Sequence, residues 1–139
     1  NCSGQTTTQT SGLTSGSTYN VGVTTNTFKV TDANNNTATC SFTVTVNDTQ
    51  LPAITCPANI VLSNTTNTCG AVATYTTPVG TDNCSGQTTS QTAGLTSGST
   101  FNVGVTTNTF KVTDANNNTA TCSFNVTVND TQLPSITCP

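Results

Sequence analysis

The side chains best able to do chemistry in this chain of 139 residues are seven cysteines and five acidic residues, all aspartates. The chain has no His and only two cationic side chains, and its formal net charge is −3. Most general acid–base schemes rely on a histidine, and binding to a nucleic-acid backbone needs clustered Lys and Arg. The composition therefore predicts a protein that is not an enzyme, needs no organic cofactor and does not bind nucleic acid.

The cysteines favour disulfides over a metal site. The chain has neither a Cys-x-x-Cys pair nor a His, so it lacks the usual ligand spacing of a structural zinc site. Seven cysteines in so polar a chain are typical of a secreted protein in an oxidising compartment, outside the cell or on its surface. The chain does not begin with Met and shows no signal peptide, so we interpret it as a section of a longer secreted protein. No apolar run is long enough to span a bilayer.

An internal repeat with a period of 82 residues organises the chain. Residues 1–57 align without a gap to residues 83–139, and 52 of these 57 positions are identical. The segment Asn-Asp-Thr-Gln-Leu-Pro occurs twice and bounds one full unit. We therefore interpret 1–49 as the C-terminal part of one repeat, 50–131 as one complete repeat and 132–139 as the start of a third.

Alternation of apolar and polar residues predicts strands and no helix. In 119–128, Cys122, Phe124, Val126 and Val128 share one face. In 106–113, Phe110 and Val112 point inward in the same way, and 114–118 joins the two strands as a turn. Shorter strands are predicted at 60–63, 71–76, 87–91 and 99–103. About seven short strands in one repeat favour an antiparallel β-sandwich.

Six motifs occur in order along the complete repeat: Ile54-Thr-Cys-Pro57, Cys69-Gly-Ala71, Thr81-Asp-Asn-Cys84, Gly98-Ser-Thr-Phe101, Val112-Thr-Asp-Ala115 and Thr119-Ala-Thr-Cys-Ser-Phe124. Together they resemble the hyalin repeat, or HYR, family, and the resemblance covers the whole chain. It implies an all-β fold of tandem immunoglobulin-like antiparallel β-sandwiches. It also implies an extracellular adhesion protein, since the family forms long arrays in large surface proteins of gliding bacteria.

The resemblance also implies a disulfide pairing within the complete repeat. It points to Cys56–Cys122, and elimination then pairs Cys69 with Cys84. A straight strand leaving Cys69 would put these two about 20 Å apart, so either that strand is shorter or Cys69 bridges to a neighbouring repeat. The alternative set is Cys84–Cys122, hence Cys2–Cys40, with Cys56–Cys69. Three further cysteines copy those of the complete repeat and would pair within the chain or across its ends: Cys2, Cys40 and Cys138.

The aspartates give one candidate metal site. In an immunoglobulin-like topology, the entering segment and two loops share one end of the domain. Asp48, Asp82 and Asp114 would then converge there, and carboxylate oxygens are ligands that calcium prefers. The competing interpretation is that these are ordinary turn residues, because no Asp-x-Asp calcium loop is present.

The near-identity of the repeats points to a structural role. A β-sandwich keeps its fold through wide surface divergence, so 52 identical positions suggest that the number of repeats matters most. The surface also lacks the aromatic and Arg anchors of most binding sites. We therefore predict a shaft module of a cell-surface adhesin or filament, whose partners are neighbouring repeats and laterally associated arrays. The alternatives are a module that binds a glycan or a protein, and a tether for a distant catalytic domain.

Overall fold

A computed structural model describes residues 4–138 of the chain, and every regular element in that range is a β-strand. The chain divides into two compact units, Asn1–Asp48 and Thr49–Pro139. The first unit contains β1 (Thr6–Ser11), β2 (Gly22–Thr31) and β3 (Thr37–Val46). The second contains β4 (Ile60–Ser63), β5 (Gly70–Val72), β6 (Thr88–Ala93), β7 (Thr100–Asn102), β8 (Gly104–Thr113) and β9 (Thr119–Asn129).

The second unit holds two sheets. The larger has the strand order β4-β9-β8-β6, and the smaller pairs β5 with β7. β8 and β9 form a long antiparallel hairpin in which Phe110 lies opposite Cys122. β4 pairs with β9 in parallel, with Ile60 opposite Val126. The described part of this unit thus has six strands, against about seven predicted. The prediction of antiparallel pairing is confirmed for β5–β7, β6–β8 and β8–β9 and is wrong for β4, whose parallel pairing makes the large sheet mixed.

The core lies between the inner face of the large sheet and the small sheet. Five residues predicted for the core from alternation alone are buried, which confirms that assignment: Phe110, Val112, Phe124, Val126 and Val128. Phe101 and Ala71 of the small sheet join the same cluster. Tyr75, on the segment that follows β5, packs edge-on against Phe124 with ring centroids 4.9 Å apart. β5 ends at Val72, and the chain that follows it still places Ala73 and Tyr75 in or against the core.

The small sheet of β5 and β7 covers the inner face of the large sheet, and we call it the covering layer. The first unit shows what this layer contributes, because the strands of the first unit are near-copies of β6, β8 and β9. It forms the sheet β1-β2-β3 with the same register as the large sheet of the second unit. The residues of this unit include no copies of β4 or β5, and the copy of β7 at 18–20 forms no strand. Phe42 is consequently 53% exposed, whereas its copy Phe124 is 3% exposed.

One buried polar contact forms in both units without help from the covering layer. The Asn108 side-chain oxygen accepts hydrogen bonds from the Leu95 backbone N–H at 2.8 Å and from Gln91 Nε2 at 3.2 Å. Gly94 lies so close that a Cβ there would fall 2.1 Å from the Asn108 oxygen, and its φ of +87° suits glycine. Asn26 makes the same contacts in the first unit. This contact holds the β-bulge of β6, where the register shifts between Gln91 and Ala93.

A matched pair of substitutions measures the covering layer. Phe124→Ala should lower the free energy of unfolding of the second unit by about 3–5 kcal/mol, because it opens a cavity in a closed core. Phe42→Ala at the copied position should cost the first unit less than about 1 kcal/mol, as is usual for an exposed side chain. Urea denaturation followed by Tyr75 fluorescence in a Tyr19→Phe background reports the second unit, and Tyr19 fluorescence in a Tyr75→Phe background reports the first. Equal losses at both positions would contradict a core closed by β5 and β7.

Candidate functional site

A disulfide joins the segment that enters the second unit to its last strand. Cys56 precedes β4 and Cys122 lies within β9, and their Cα atoms are 5.6 Å apart. This is the pair that the resemblance implies, and it excludes the alternative set in which Cys84 pairs with Cys122. Both half-cystines pack against the edge of the hydrophobic core. The two cysteines are 66 positions apart in the sequence, so the bond greatly restricts the unfolded chain.

The Cys69–Cys84 bond expected by elimination is not formed, because the two residues lie at opposite ends of the second unit. Cys69 is an exposed free thiol just before β5. Its neighbour Gly70 accepts a hydrogen bond from Thr65, beside the end of β9. Cys84 instead lies near the β8–β9 turn, since a Cβ at Gly86 would fall 3.3 Å from the Ala115 methyl. The eleven residues of β9 separate these ends by roughly 35 Å, whereas a disulfide requires Cα atoms about 4.4–6.8 Å apart.

The three copied cysteines have different placements. Cys40 is an exposed free thiol in β3, although its copy Cys122 is oxidised. Cys138 is also an exposed free thiol. Cys2 lies outside the described residues, so the expectation that it pairs with Cys40 or across the chain end has no structural counterpart here.

Asp114 holds the turn between β8 and β9. Its Oδ1 accepts hydrogen bonds from the backbone N–H groups of Asn116 at 2.9 Å and Asn118 at 2.7 Å, and its Oδ2 accepts one from Asn118 Nδ2. Burial is the largest single influence on the pKa of Asp114 and raises it, but the three hydrogen bonds together outweigh burial and hold the pKa below its ordinary value. Asp32 occupies the copied turn, where hydrogen bonds from Asn36 lower its pKa.

The other two aspartates of the candidate calcium site are Asp82 and Asp48. Asp82 Oδ2 accepts a hydrogen bond from the Cys84 backbone N–H at 2.9 Å, and its Oδ1 is buried without a hydrogen-bond partner in the described part of the chain. Asp48 is the last residue of the first unit. Within residues 4–138, Asp114 belongs to no cluster of three potential metal-ligating side chains. A calcium site formed by Asp48, Asp82 and Asp114 therefore stays a prediction.

A polar clamp holds the segment that leaves the second unit. We define this exit clamp as Asn64, Asn67, Thr131 and Gln132. The Asn64 side-chain oxygen accepts a hydrogen bond from the Thr131 backbone N–H at 3.0 Å. Gln132 Oε1 accepts one from the Asn67 backbone N–H at 2.9 Å, and Gln132 Nε2 donates one to the Asn67 side-chain oxygen at 3.0 Å.

The sequence pattern indicated Gln132 only as part of a repeat boundary, and it indicated nothing for 64–68 beyond a connection between the strands predicted at 60–63 and 71–76. Asn67 adopts a φ of +62°, a left-handed conformation that Asn tolerates better than most residues. The repetition of Asn-Asp-Thr-Gln-Leu-Pro was the one available signal of a role for Gln132. Gln132 contacts Asn67, which is 65 positions away in the sequence, and no local sequence pattern predicted this contact.

Comparison with known proteins relates the chain to one family. The HYR domain family model matches residues 1–46 and again 47–128. Hyalin of Strongylocentrotus purpuratus is 36% identical over 129 residues, which is 88% of this chain and 11% of hyalin. The chain thus spans about a tenth of the length of that relative. Residues 4–138 contain no helix long and apolar enough to cross a membrane.

The Asp114 turn should make the second unit sensitive to acid. Because the folded pKa of Asp114 lies below the ordinary aspartate value of 3.8, this carboxylate adds stability that is complete above about pH 5 and is lost as the pH falls through the folded pKa. The melting temperature should therefore drop between about pH 4 and pH 2. Asp114→Asn keeps a side-chain acceptor but cannot titrate, so it should flatten this part of the profile. Asp32→Asn is the matched control and should leave the second unit unchanged; a steep drop that persists in Asp114→Asn would contradict the assignment.

Chelation tests the candidate calcium site. If Asp48, Asp82 and Asp114 bind calcium, then calcium at about one hundred times its dissociation constant should add about 2.7 kcal/mol of stability. EDTA should lower the melting temperature, calcium should restore it, and Asp82→Asn should abolish the response. An unchanged melting temperature in EDTA would reduce the three aspartates to turn residues.

Proposed function

Because the chain belongs to the HYR domain family, we propose that it is a non-catalytic structural module of an extracellular, adhesion-related protein, and that arrays of it form a load-bearing shaft. The family relation points to an adhesion-type module. The proposal goes further and states what the module contributes, which is length and resistance to pulling. Its immediate partners are then the neighbouring repeats of the same polypeptide.

The observation that carries the proposal is the position of the Cys56–Cys122 bond. Tension applied to the two ends of the second unit enters near Cys56 and leaves through the end of β9. The bond passes this force directly from the entering segment to β9, so residues 57–121 are not loaded. Only 123–129 of β9 can be pulled from the sheet, and that segment pairs with β8 on one side and with β4 on the other. An oxidised unit therefore resists extension without depending on most of its own fold.

The exit clamp supports a shaft of restricted flexibility. Asn64 and Asn67 hydrogen-bond to Gln132 and Thr131, so the segment that follows β9 is held against the second unit. The chain therefore departs from β9 in a direction set by the folded unit. Pro134, two residues further on, limits the backbone again. β9 spans eleven residues, or about 36 Å, so each repeat should lengthen an array by roughly 35–40 Å.

The outer face of the large sheet supports the side-by-side packing of arrays as part of the same proposal. Val61 and Val105 lie on either side of Thr127 across β4, β9 and β8, and both valines are more than 60% exposed. Lys111 is the only cationic side chain in the described part of the second unit, so charge repulsion between neighbouring arrays would be small. Thr, Ser and Asn side chains occupy the other outward positions of β9, and they offer hydrogen-bonding groups without charge.

Reduction should lengthen a stretched second unit. In single-molecule pulling on the full chain, reducing the Cys56–Cys122 bond should release residues 57–121, which it encloses, adding about 220 Å of contour length to the unfolding event. Cys122→Ser should show the longer extension without reductant. Cys69→Ser is the matched control and should behave as the unmodified chain. Equal extensions with and without reductant would contradict the force path.

Solution scattering and a glycan array separate the shaft from a binding module. A polypeptide of several repeats should scatter as an extended rod, with about 35–40 Å added per repeat. The shaft proposal is contradicted by a compact globule. Binding of one repeat to a defined glycan or protein at micromolar affinity would favour the binding module instead.

A further inference from the structure

The first unit carries an apolar face that is only partly covered in the described part of the chain. Phe28 and Phe42 stack there with ring centroids 6.2 Å apart, and their copies Phe110 and Phe124 stack at 6.4 Å in the closed core of the second unit. The ring geometry of a closed core is thus already present in the first unit, where Phe42 is exposed. Cys40 lies opposite Phe28 in the β2–β3 pair and is an exposed free thiol.

A shallow pocket lies on this face beside the thiol. Phe28, Val30 and Cys40 are among the residues that line it. We call the four side chains on this side of the sheet the acceptor face: Phe28, Val30, Cys40 and Phe42. The copy of Cys40 is Cys122, which is bonded to Cys56 in the second unit. A segment that fits the acceptor face should therefore bring a cysteine with apolar neighbours to this pocket.

Residues 133–138 repeat the segment that brings such a cysteine to the core of the second unit. They match 51–56 at five of six positions, and we call them the donor segment. In 51–56 alternate residues turn into the fold, since Pro52 is buried and Ile54 and Cys56 pack against the core cluster. The donor segment thus has the side chains that already cover an equivalent face in this structure.

The donor segment leaves its apolar side chains and its thiol exposed. Ile136 is 90% exposed and Leu133 is 86% exposed, and Cys138 is a free thiol that is also exposed. The exit clamp holds Gln132 directly before the segment, so the folded second unit fixes where the segment begins. The segment contains no charged residue, which suits it to an apolar face.

We propose that the donor segment of one copy of this chain docks on the acceptor face of a second copy, and that Cys138 forms a disulfide with Cys40 there. Ile136 then packs on the stacked rings of the first unit, as Ile54 packs against the core of the second. The bond copies the disulfide seen in the second unit. This inference goes beyond the proposed shaft, because it joins separate polypeptides.

The bond forms by an ordinary thiol oxidation. The Cys40 thiolate attacks a small-molecule disulfide such as oxidised glutathione, forms a mixed disulfide and releases one thiol. The Cys138 thiolate of the docked copy then displaces the second thiol. Two protein thiols lose two protons and two electrons, and one small disulfide becomes two thiols.

The noncovalent contact and the disulfide have different tasks. Stable interfaces generally bury more than about 1,000 Å², and a segment of six residues covers less, so docking aligns the thiols and the bond holds the copies together. Each copy has one donor segment and one acceptor face. Because these surfaces differ, the contact is heterologous and builds a ring or an open filament. Oxidation should therefore convert the chain into covalent oligomers that a reductant returns to monomers.

The test uses the full chain, prepared both unlabelled and labelled with a heavy nitrogen isotope. Equal amounts are mixed, oxidised with glutathione, alkylated, cleaved before aspartates without reduction and analysed by mass spectrometry. Cleavage leaves Cys40 in fragment 32–47 and Cys138 in fragment 130–139. These two fragments should be linked, and heavy–light pairs should occur in the proportion expected for random pairing of chains.

A matched pair of substitutions separates docking from chance collision of thiols. Ile136→Asn removes the apolar side chain that enters the acceptor face and should slow formation of the heavy–light link about tenfold. Thr137→Asn changes the next position, whose copy Thr55 is exposed in the second unit, and should leave the rate unchanged. Both substitutions lie in an exposed segment of the second unit, so neither perturbs the fold of the acceptor face.

Three results would overturn the inference. One is a link between 32–47 and 130–139 that never joins heavy to light, which would place both thiols in the same chain. The others are alkylation of Cys40 and Cys138 as free thiols, and equal rates for the two substituted proteins. The Cys56–Cys122 link in the same digest reports that the second unit has folded. None of these results changes the pulling behaviour that tests the shaft, so the two proposals fail separately.

Discussion

The structure depends most on the closing of one apolar sheet face. The apolar face of the large sheet is formed by Phe110, Phe124 and the valines of β9, and the first unit has identical residues at the copied positions. Only the second unit has a layer of residues packed on this face. Each fully buried Phe or Val contributes about 1.5–3 kcal/mol, and a small domain has only about 5–15 kcal/mol of net stability. The covering strands β5 and β7 have three residues each, so a small layer decides whether this face is a core or a surface.

Uncharged and acidic polar side chains stabilise the turns, the bulge and the exit segment of this protein through hydrogen bonds to the backbone. Asp114 closes the β8–β9 turn, Asn108 holds the bulge of β6 and Asn64 anchors the exit segment. Each makes hydrogen bonds to backbone groups, which would otherwise be unsatisfied wherever they are buried. A chain with 37 Thr, 18 Asn and 12 Ser residues can therefore fold around few large apolar side chains.

The covalent and polar links of the second unit lie along one line from its entering segment to its exit. Cys56 ties the entering segment to β9, β9 runs the length of the unit, and the exit clamp holds the chain that follows. Cys69 and Cys84 take no part in these links; Cys69 lies near the exit end of the unit and Cys84 lies near the β8–β9 turn. A module with ends that differ in this way fits an assembly that grows in one direction, and a closed pair of units would need matching ends.

Local patterns in the sequence determined the strands, the β8–β9 turn, the inward residues of β8 and β9 and the 82-residue repeat. Alternation settles these because a strand turns successive side chains to opposite faces whatever surrounds it. The sequence alone did not determine the parallel pairing of β4 with β9, the shortness of β5 or the failure of Cys69 to meet Cys84. These depend on contacts between residues far apart in the chain. Nearly the same strand sequence leaves Phe42 half-exposed and buries Phe124, because burial is decided by what packs on a face and only the tertiary structure supplies that layer.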